Sequence, residues 1–274
     1  YREIHEKFGV GRARQFAVIP LGLDTSVFAD WSNRRGVMRN ELGAGAGDVL
    51  VGIVGRLTEI KNHSLFLKAA ARYKERFATA DGARRVRFVI LGDGNLRERL
   101  EAEARELGLG ADLQFMGTRN DPENFYPALD IVALTSLNEG TPLTLIEAMA
   151  NARAVIATAV GGVVDLLGEE VDSSRGLKTE GYAVSERGLR VRANDPEAFC
   201  KGLARLVEDE GLRRSLGERG RAFVEQSYSK ERLLTDVMNL YDDLMRDESR
   251  ESVTSKAHLE SKTKKSSSAP DSGL

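Results

Sequence analysis

Cysteine, tryptophan and histidine are scarce in this chain. One Cys and one Trp stand among 274 residues, with 3 His. A single thiol excludes an internal disulfide framework and any cysteine-rich metal site. Cys200 reads as a small apolar helix residue. Neither sign of charge dominates: 40 Lys and Arg against 42 Asp and Glu leave a net charge of −2. No global field therefore points to nucleic acid or to a membrane surface, and the interspersed Arg and Glu read as solvated helix faces. No apolar run approaches the ~20 residues of a membrane span, and no secretory leader pattern is present. A cytoplasmic location is the expectation. What is there is an ordinary soluble composition, 41% hydrophobic and 30% charged, able to bury a core. The chain opens on Tyr1, not Met, in a helix-like stretch with no leading strand, and is expected to be a piece of a longer protein.

The pattern along the chain alternates strand with helix. Phe16 to Pro20 is a short β-rich run, and Leu21 to Arg39 is irregular. Val49 to Val54 is continuously apolar, as suits a strand buried on both faces of a parallel sheet. Leu65, Phe66, Ala69, Ala70, Tyr73 and Phe77 then share one helix face. Val86 to Leu91, Leu113 to Met116, Ile131 to Leu134 and Ala154 to Ala157 read as further strands, with helices between them. That order predicts a Rossmann-like α/β fold, a doubly wound parallel sheet with right-handed crossovers. Beyond Gly168 the signal weakens. Glu169 to Glu180 reads as a surface excursion, and helices are expected over Asp195 to Glu208, Leu212 to Gln226 and Lys230 to Met245. After Asp247 the chain is rich in Ser, Lys and Glu and is expected to be a disordered tail.

Two constellations fall at carboxyl ends of strands, where open α/β sheets bind ligands. The first is Asn138-Glu139-Gly140-Thr141-Pro142, continuing through Leu143 to Glu147. Thr141 suits an N-cap and Pro142 a first helical position. The free amides of that turn, with the helix dipole, make an anion site. Glu147 lies five residues further, about 7–8 Å at the helical rise, within reach of a ribose carried by a bound diphosphate. Read alone, Glu139 and Glu147 serve equally as acids complementing a helix dipole. The second constellation is Gly55-Arg56 with Lys61-Asn62. An arginine fork and a lysine point charge suit a leaving diphosphate, although two solvated surface cations fit the same segment. His63 reads as a helix-start residue. Of the glycine patterns, Gly43 to Gly47 imitates a dinucleotide fingerprint but precedes its strand instead of following it. Gly92-Asp93-Gly94 does follow a strand and admits either a close-lying base or a tight turn. Gly161-Gly162 admits a second anion nest or a plain turn.

In their order and spacing these segments resemble glycosyltransferase family 4. The resemblance is carried by VIPLGLD (Val18 to Asp24), GRLTEIKN (Gly55 to Asn62), LGDGN (Leu91 to Asn95), FMGTR (Phe115 to Arg119), EGTPLTLIEAMA (Glu139 to Ala150), VGGVVDLL (Val160 to Leu167) and the run ending in LYDDLM (Leu240 to Met245). It implies the carboxy-terminal, donor-binding domain of a GT-B glycosyltransferase that retains anomeric configuration and needs no obligatory metal or other cofactor. Residues 1–40 would then be a remnant of the amino-terminal domain and its connection, 41–228 the nucleotide-sugar-binding domain, 229–246 a crossover helix and 247–274 the tail. Arg56 and Lys61 match the pair that grips the donor diphosphate. Glu139 matches the residue near the donor sugar and Glu147 the one at the ribose. Gly55 and the backbone from Gly140 through Thr141 and Pro142 to Leu143 would lie over phosphates and sugar. Gly92, Gly94, Gly117 and Arg119 fall where base and nucleotide are held. The implied partners are a UDP-sugar donor and an acceptor glycan, glycolipid or small molecule, without nucleic acid and with peripheral contact to the inner face of a membrane. Gly140-Thr141 stands where many members carry Phe-Gly, and Glu169 to Arg187 has no family motif. A nucleotide-sugar epimerase and a non-catalytic sensor on the same fold are the alternatives.

Overall fold

A computed structural model describes residues 3–12, 15–77, 84–171 and 176–246; the expected disordered tail, 247–274, lies outside the described residues. The chain divides into two compact units, Asp24–Gln226 and the two ends together, Tyr1–Leu23 with Ser227–Leu274. The larger unit carries the sheet. In chain order it holds α1 (Trp31–Arg34), α2 (Gly36–Glu41), β1 (Val49–Val54), α3 (His63–Phe77), β2 (Val86–Leu91), α4 (Arg97–Glu106), β3 (Leu113–Gly117), α5 (Pro122–Ala128) and β4 (Ile131–Leu134). It continues with α6 (Leu143–Ala150), β5 (Ala154–Thr158), α7 (Gly162–Leu167), β6 (Tyr182–Ser185), β7 (Gly188–Val191), α8 (Pro196–Glu208) and α9 (Glu210–Ser227).

The seven strands run in the order β3-β2-β1-β4-β5-β7-β6. All neighbours pair in parallel except β6 with β7. The expected doubly wound α/β sheet is present, and its strand order reverses between β1 and β4. Strand pleating sends Val49, Val51 and Ile53 into one core with Phe66, Ala70 and Phe199 of α3 and α8. On the other face Gly52 leaves room for Leu129, whose Cδ1 would stand 2.5 Å from a Cβ there. The expected apolar face of α3 is confirmed: Leu65, Phe66, Ala69, Ala70 and Tyr73 are all buried.

Two expectations change. Strands β6 and β7 extend the sheet where the sequence read as an excursion followed only by helices. Each has four residues, and a buried Arg190 interrupts the apolar signal of β7. Its charge is met by Ser185 Oγ at 2.7 Å and Glu170 Oε1 at 3.4 Å. The larger compact unit begins at Asp24 and so includes α1 and α2. The cause is Asp130, just before β4, which accepts from Arg35 Nη2 (2.5 Å), Arg39 Nη1 (3.1 Å) and the Leu50 amide (2.8 Å). Those contacts bind α1 and α2 into the sheet domain. In the smaller unit Phe16 to Pro20 is not a strand. Leu23 makes the one bridge there among the described residues, to Ser229 at the head of a helix over 230–246. Arg232 holds the carbonyls of Pro20 (2.7 Å) and Leu21 (2.5 Å). Along that helix Leu234, Met238, Tyr241, Leu244 and Met245 are 55–67% exposed.

Burial alone pushes the Asp130 carboxyl upward, but the Arg35 charge, the Leu50 amide and Arg39 together hold it below its ordinary value. A carboxylate with a lowered folded pKa stabilises the fold above the unfolded value, ~3.9, and loses that contribution as pH falls through the folded one. Asp130→Asn leaves two guanidinium groups without their counter-ion and should cost about 3–5 kcal/mol at pH 7. The deficit against wild type should shrink below pH ~4 as the native carboxyl protonates. Urea unfolding across pH measures both.

Candidate functional site

The loops that leave the carboxyl ends of β1, β2, β3 and β4 are joined backbone to backbone. Leu57 N–H donates to Asp93 O (3.0 Å), Leu96 N–H to Leu57 O (3.2 Å) and Gly92 N–H to Gly117 O (2.8 Å). Leu137 N–H donates to Ile60 O (2.8 Å) and Gly162 N–H to Glu139 O (3.1 Å). The glycines between the apolar runs make this packing available. A Cβ on Gly92, whose φ is +136°, would lie 2.0 Å from Gly55 O, and one on Gly94 would lie 2.5 Å from Leu57 O. A Cβ on Gly162 would lie 1.8 Å from Gly140 O. Gly161-Gly162 is therefore a close-approach element that fixes the Glu139–Gly140 loop. The anion-nest alternative loses its amide, since Gly162 N–H is spent on Glu139.

On this edge Lys61 and Glu139 meet. Lys61 Nζ donates to Glu139 Oε1 at 2.6 Å, and Ser136 Oγ donates to the same oxygen at 2.6 Å. Thr135 Oγ1 holds the Lys61 carbonyl at 2.9 Å. Neither Thr135 nor Ser136 stands out in the sequence; both are buried small polar residues directly after an apolar strand, which is the signal that could have found them. Arg56 is exposed, and no carboxylate among the described residues pairs with it.

A cavity of about 230 Å³ opens between the loops, lined by Gly55, Arg56, Gly92, Thr118, Arg119 and Phe125. Five residues of that wall and its neighbourhood were expected at the nucleotide: Gly55, Arg56, Gly92, Arg119 and, through its carbonyl bond to Gly92, Gly117. Arg119 sits there with its fork already engaged. It donates to Asp121 (2.8 and 2.5 Å) and to Glu41 (2.5 and 3.3 Å). It is a wall of the cavity and not a free phosphate-gripping cation.

Glu147 projects from α6 toward Tyr126, whose hydroxyl donates to Oε2 at 2.7 Å. Burial raises the Glu147 carboxyl above its ordinary value, and the Tyr126 bond opposes that rise only in part. Burial and the Glu147 charge push the Tyr126 phenol far up, so it remains a donor at neutral pH. Tyr126 is fully buried at the end of α5; in sequence such a tyrosine looks like core. The start of α6 differs by one residue from expectation. Pro142 is the N-cap, at φ −77° and ψ 89°, and helical geometry begins at Leu143. Thr141 thus lies outside the helix, while Thr144 Oγ1 donates to Val54 O at 3.3 Å and fixes the first turn against β1. The Leu145 and Ile146 amides donate to Pro142 O at 3.0 and 3.3 Å, which leaves the Leu143 and Thr144 amides as the first-turn donors without an intrahelical acceptor.

His63 opens α3, as expected, with both ring nitrogens enclosed and unpartnered. Burial, helped by the Lys61 charge, pulls its pKa down to about 4, so it is neutral beside Lys61. Among the described residues no three His, Cys, Asp or Glu side chains converge to hold a metal ion, and no helix is long and apolar enough to cross a membrane.

Residues 35–223 match the family described as Glycosyl transferases group 1. The chain is 34% identical over 209 residues to a D-inositol 3-phosphate glycosyltransferase of Corynebacterium jeikeium, across 73% of this chain and 45% of that protein. It is 30% identical over 199 residues to the UDP-Gal:alpha-D-GlcNAc-diphosphoundecaprenol alpha-1,3-galactosyltransferase of Escherichia coli, across 72% and 46%. Among solved structures, sucrose-phosphate synthase from Thermosynechococcus elongatus superposes with a TM-score of 0.71 at 25% identity, over 89% of this chain and 56% of that one. Anabaena HepE in complex with UDP and glucose gives 0.69 at 22% identity, over 87% and 59%, a likeness of fold. The chain spans about half the length of the relatives it matches.

Because the folded pKa of Glu147 is raised, the folded state holds that proton more tightly than the unfolded chain. Stability then falls as pH climbs from the unfolded value through the folded one. Glu147→Gln keeps the acceptor for Tyr126 and removes the desolvated charge. It should raise the unfolding free energy at pH 7 and show no gain below pH ~4, where both states of the wild-type carboxyl are protonated. Parallel denaturant titrations of both proteins decide it; equal stability at pH 7 would overturn the reading.

Proposed function

This chain belongs to the glycosyl transferases group 1 family, and from that premise we propose that its carboxyl-edge loops bind a UDP-sugar. The whole protein then transfers the sugar to an acceptor hydroxyl with retention of anomeric configuration, in the manner of glycosyltransferase family 4. The observation that carries the reading is the meeting of two loops on one sheet edge, the loop after β1 with Arg56 and Lys61 and the loop after β4 with Glu139, beside a cavity of about 230 Å³. The name of the Escherichia coli relative, with its UDP-Gal donor and lipid-linked acceptor, supports it. So does the UDP and glucose complex of the Anabaena fold neighbour.

In the proposed reaction an acceptor oxygen bonds to the anomeric carbon as the bond from that carbon to the diphosphate oxygen breaks. The electron pair leaves with UDP, and the proton of the acceptor hydroxyl passes to the departing diphosphate oxygen. Arg56 and Lys61 stabilise the charge that develops on the diphosphate, aided by the first amides of α6. Two side-chain cations do this without an obligatory metal. Lys61 exchanges Glu139 for the diphosphate, and Glu139 turns to the hydroxyls of the donor sugar. Glu147, steadied by Tyr126, receives the ribose hydroxyls. The acceptor class is a glycan, glycolipid or small molecule, handled in the cytoplasm or at the inner face of a membrane. That placement rests on the lipid-linked acceptor in the name of the Escherichia coli relative.

Calorimetric titration with UDP tests the assignment. Arg56→Ala and Lys61→Ala should each weaken binding by about 1.5–3 kcal/mol, roughly ten- to hundredfold. Glu139→Gln should not weaken free UDP, because it only releases Lys61. Unchanged affinity in both cation variants, or a tenfold loss in Glu139→Gln, would sink these roles.

A further inference from the structure

A second charged cavity, of about 340 Å³, lies at the opposite edge of the sheet, where Asp130 precedes β4 and Ala154 opens β5. Its floor holds two buried arginines, Arg153 and Arg213, each 8% exposed. Both cap helix ends with only part of the guanidinium. Arg153 Nη1 donates to Leu129 O (3.0 Å) and Pro127 O (3.4 Å), and its Nε to Asn151 O (2.7 Å). Arg213 Nη1 donates to Leu206 O (2.5 Å) and Val207 O (2.7 Å). Neither arginine has a carboxylate within ion-pair distance among the described residues, and neither Nη2 group has an acceptor there.

The nearby carboxylates do not fill that gap. Asp130 is taken up by Arg35, Arg39 and the Leu50 amide. Glu210 is shared between Arg84 (3.1 Å) and Arg214 (3.3 Å). Glu218 is exposed at the rim. Four arginines thus face three carboxylates in the lining, and the two buried arginines are the ones without an ion pair among the described residues. Glu210, Arg213 and Arg214 also put the first turn of α9, an 18-residue helix, against the cavity, and the amino end of a helix dipole adds to the same sign. Burial, with the charge of Arg35, pulls Arg153 down to about 10 against the opposing charge of Asp130, and burial lowers Arg213 against the charges of Asp130, Glu210 and Asp209. Trp31 forms one wall, with the Arg153 guanidinium 4.5 Å over its ring centroid.

We propose that this cavity is a second binding site, which takes the phosphate group of a small molecule on the free donors of Arg153 and Arg213, with Arg214 at the mouth. Guanidinium forks match phosphate oxygens in pairs. A volume of about 340 Å³ falls within the usual range for small-molecule sites, so a phosphomonoester fits as well as free phosphate. The site lies across the sheet from the UDP-binding loops and does not depend on them.

Trp31 is the one tryptophan of the chain, so its fluorescence reports this cavity. Inorganic phosphate and glycerol 3-phosphate are titrated separately, up to about 50 mM at constant ionic strength, in the range of weak single-site binding. A saturable change is expected with at least one of them. Tighter binding of glycerol 3-phosphate identifies a phosphorylated molecule as the source; equal binding identifies free phosphate. Arg213→Gln should weaken it about tenfold or more. Because Arg213 also caps α8, Arg214→Gln provides the second variant: it is exposed, should leave the unfolding midpoint unchanged and should weaken binding several-fold. The proposal is overturned if neither probe gives a saturable change, if chloride reproduces it, or if both variants respond like wild type.

Discussion

Backbone packed directly on backbone, with no room for a single Cβ, is the constraint on which the carboxyl edge depends. Gly92 lies against Gly55, Gly94 against Leu57, and Gly162 against Gly140. Each contact joins loops that follow different strands. The amide bonds that run beside them leave the loops little freedom to move independently. Side chains projecting from these loops are therefore placed by main-chain geometry, not by packing of their own. That is how Lys61, from the loop after β1, comes to meet Glu139, from the loop after β4, at 2.6 Å.

The cations of this edge differ in how firmly they are held. Arg119 is bound by four bonds to two carboxylates. To turn it toward a ligand would strand Asp121 and Glu41. Lys61 has one carboxylate contact, and its side chain is 27% exposed. Glu139 is 10% exposed and also accepts from Ser136, so a ligand that takes Lys61 leaves that carboxylate with the Ser136 bond. Arg56 starts without a carboxylate among the described residues. The gradation separates an arginine held by two carboxylates from two cations with fewer such contacts, a distinction that residue type and spacing do not make.

Much of the fold was legible in the sequence because period and punctuation agreed. Val49 to Val54 and Val86 to Leu91 match their strands to the residue, and the face of α3 follows from its apolar spacing. The carboxyl-edge position of Arg56, Lys61, Glu139 and Glu147 followed from that frame. What was not legible depends on contacts far apart in the chain. Asp130 looks like a loop acid until Arg35 and Arg39, some ninety residues earlier, are seen to close on it. Tyr126 looks like core until its hydroxyl is found on Glu147. β7 is masked by Arg190, whose polar partners lie on β6 and the segment before it. Asp130 and Tyr126 find their partners at long range, where no local pattern encodes them, and Arg190 finds Ser185 only once β6 and β7 have paired.

Glu147 shows the cost of such a partner being incomplete. A buried carboxylate would ordinarily face an arginine or several amides. Here the partner among the described residues is one neutral phenol, and the carboxyl is raised in consequence. The fold gains nothing from that charge, since a glutamine could accept the same Tyr126 bond without desolvating an ion. Glu147 is held in one orientation by a buried hydrogen bond and keeps acceptor capacity that no other described residue takes up. Hydroxyl donors of a ligand, two of them vicinal on a ribose, would supply the bonds that the folded chain withholds.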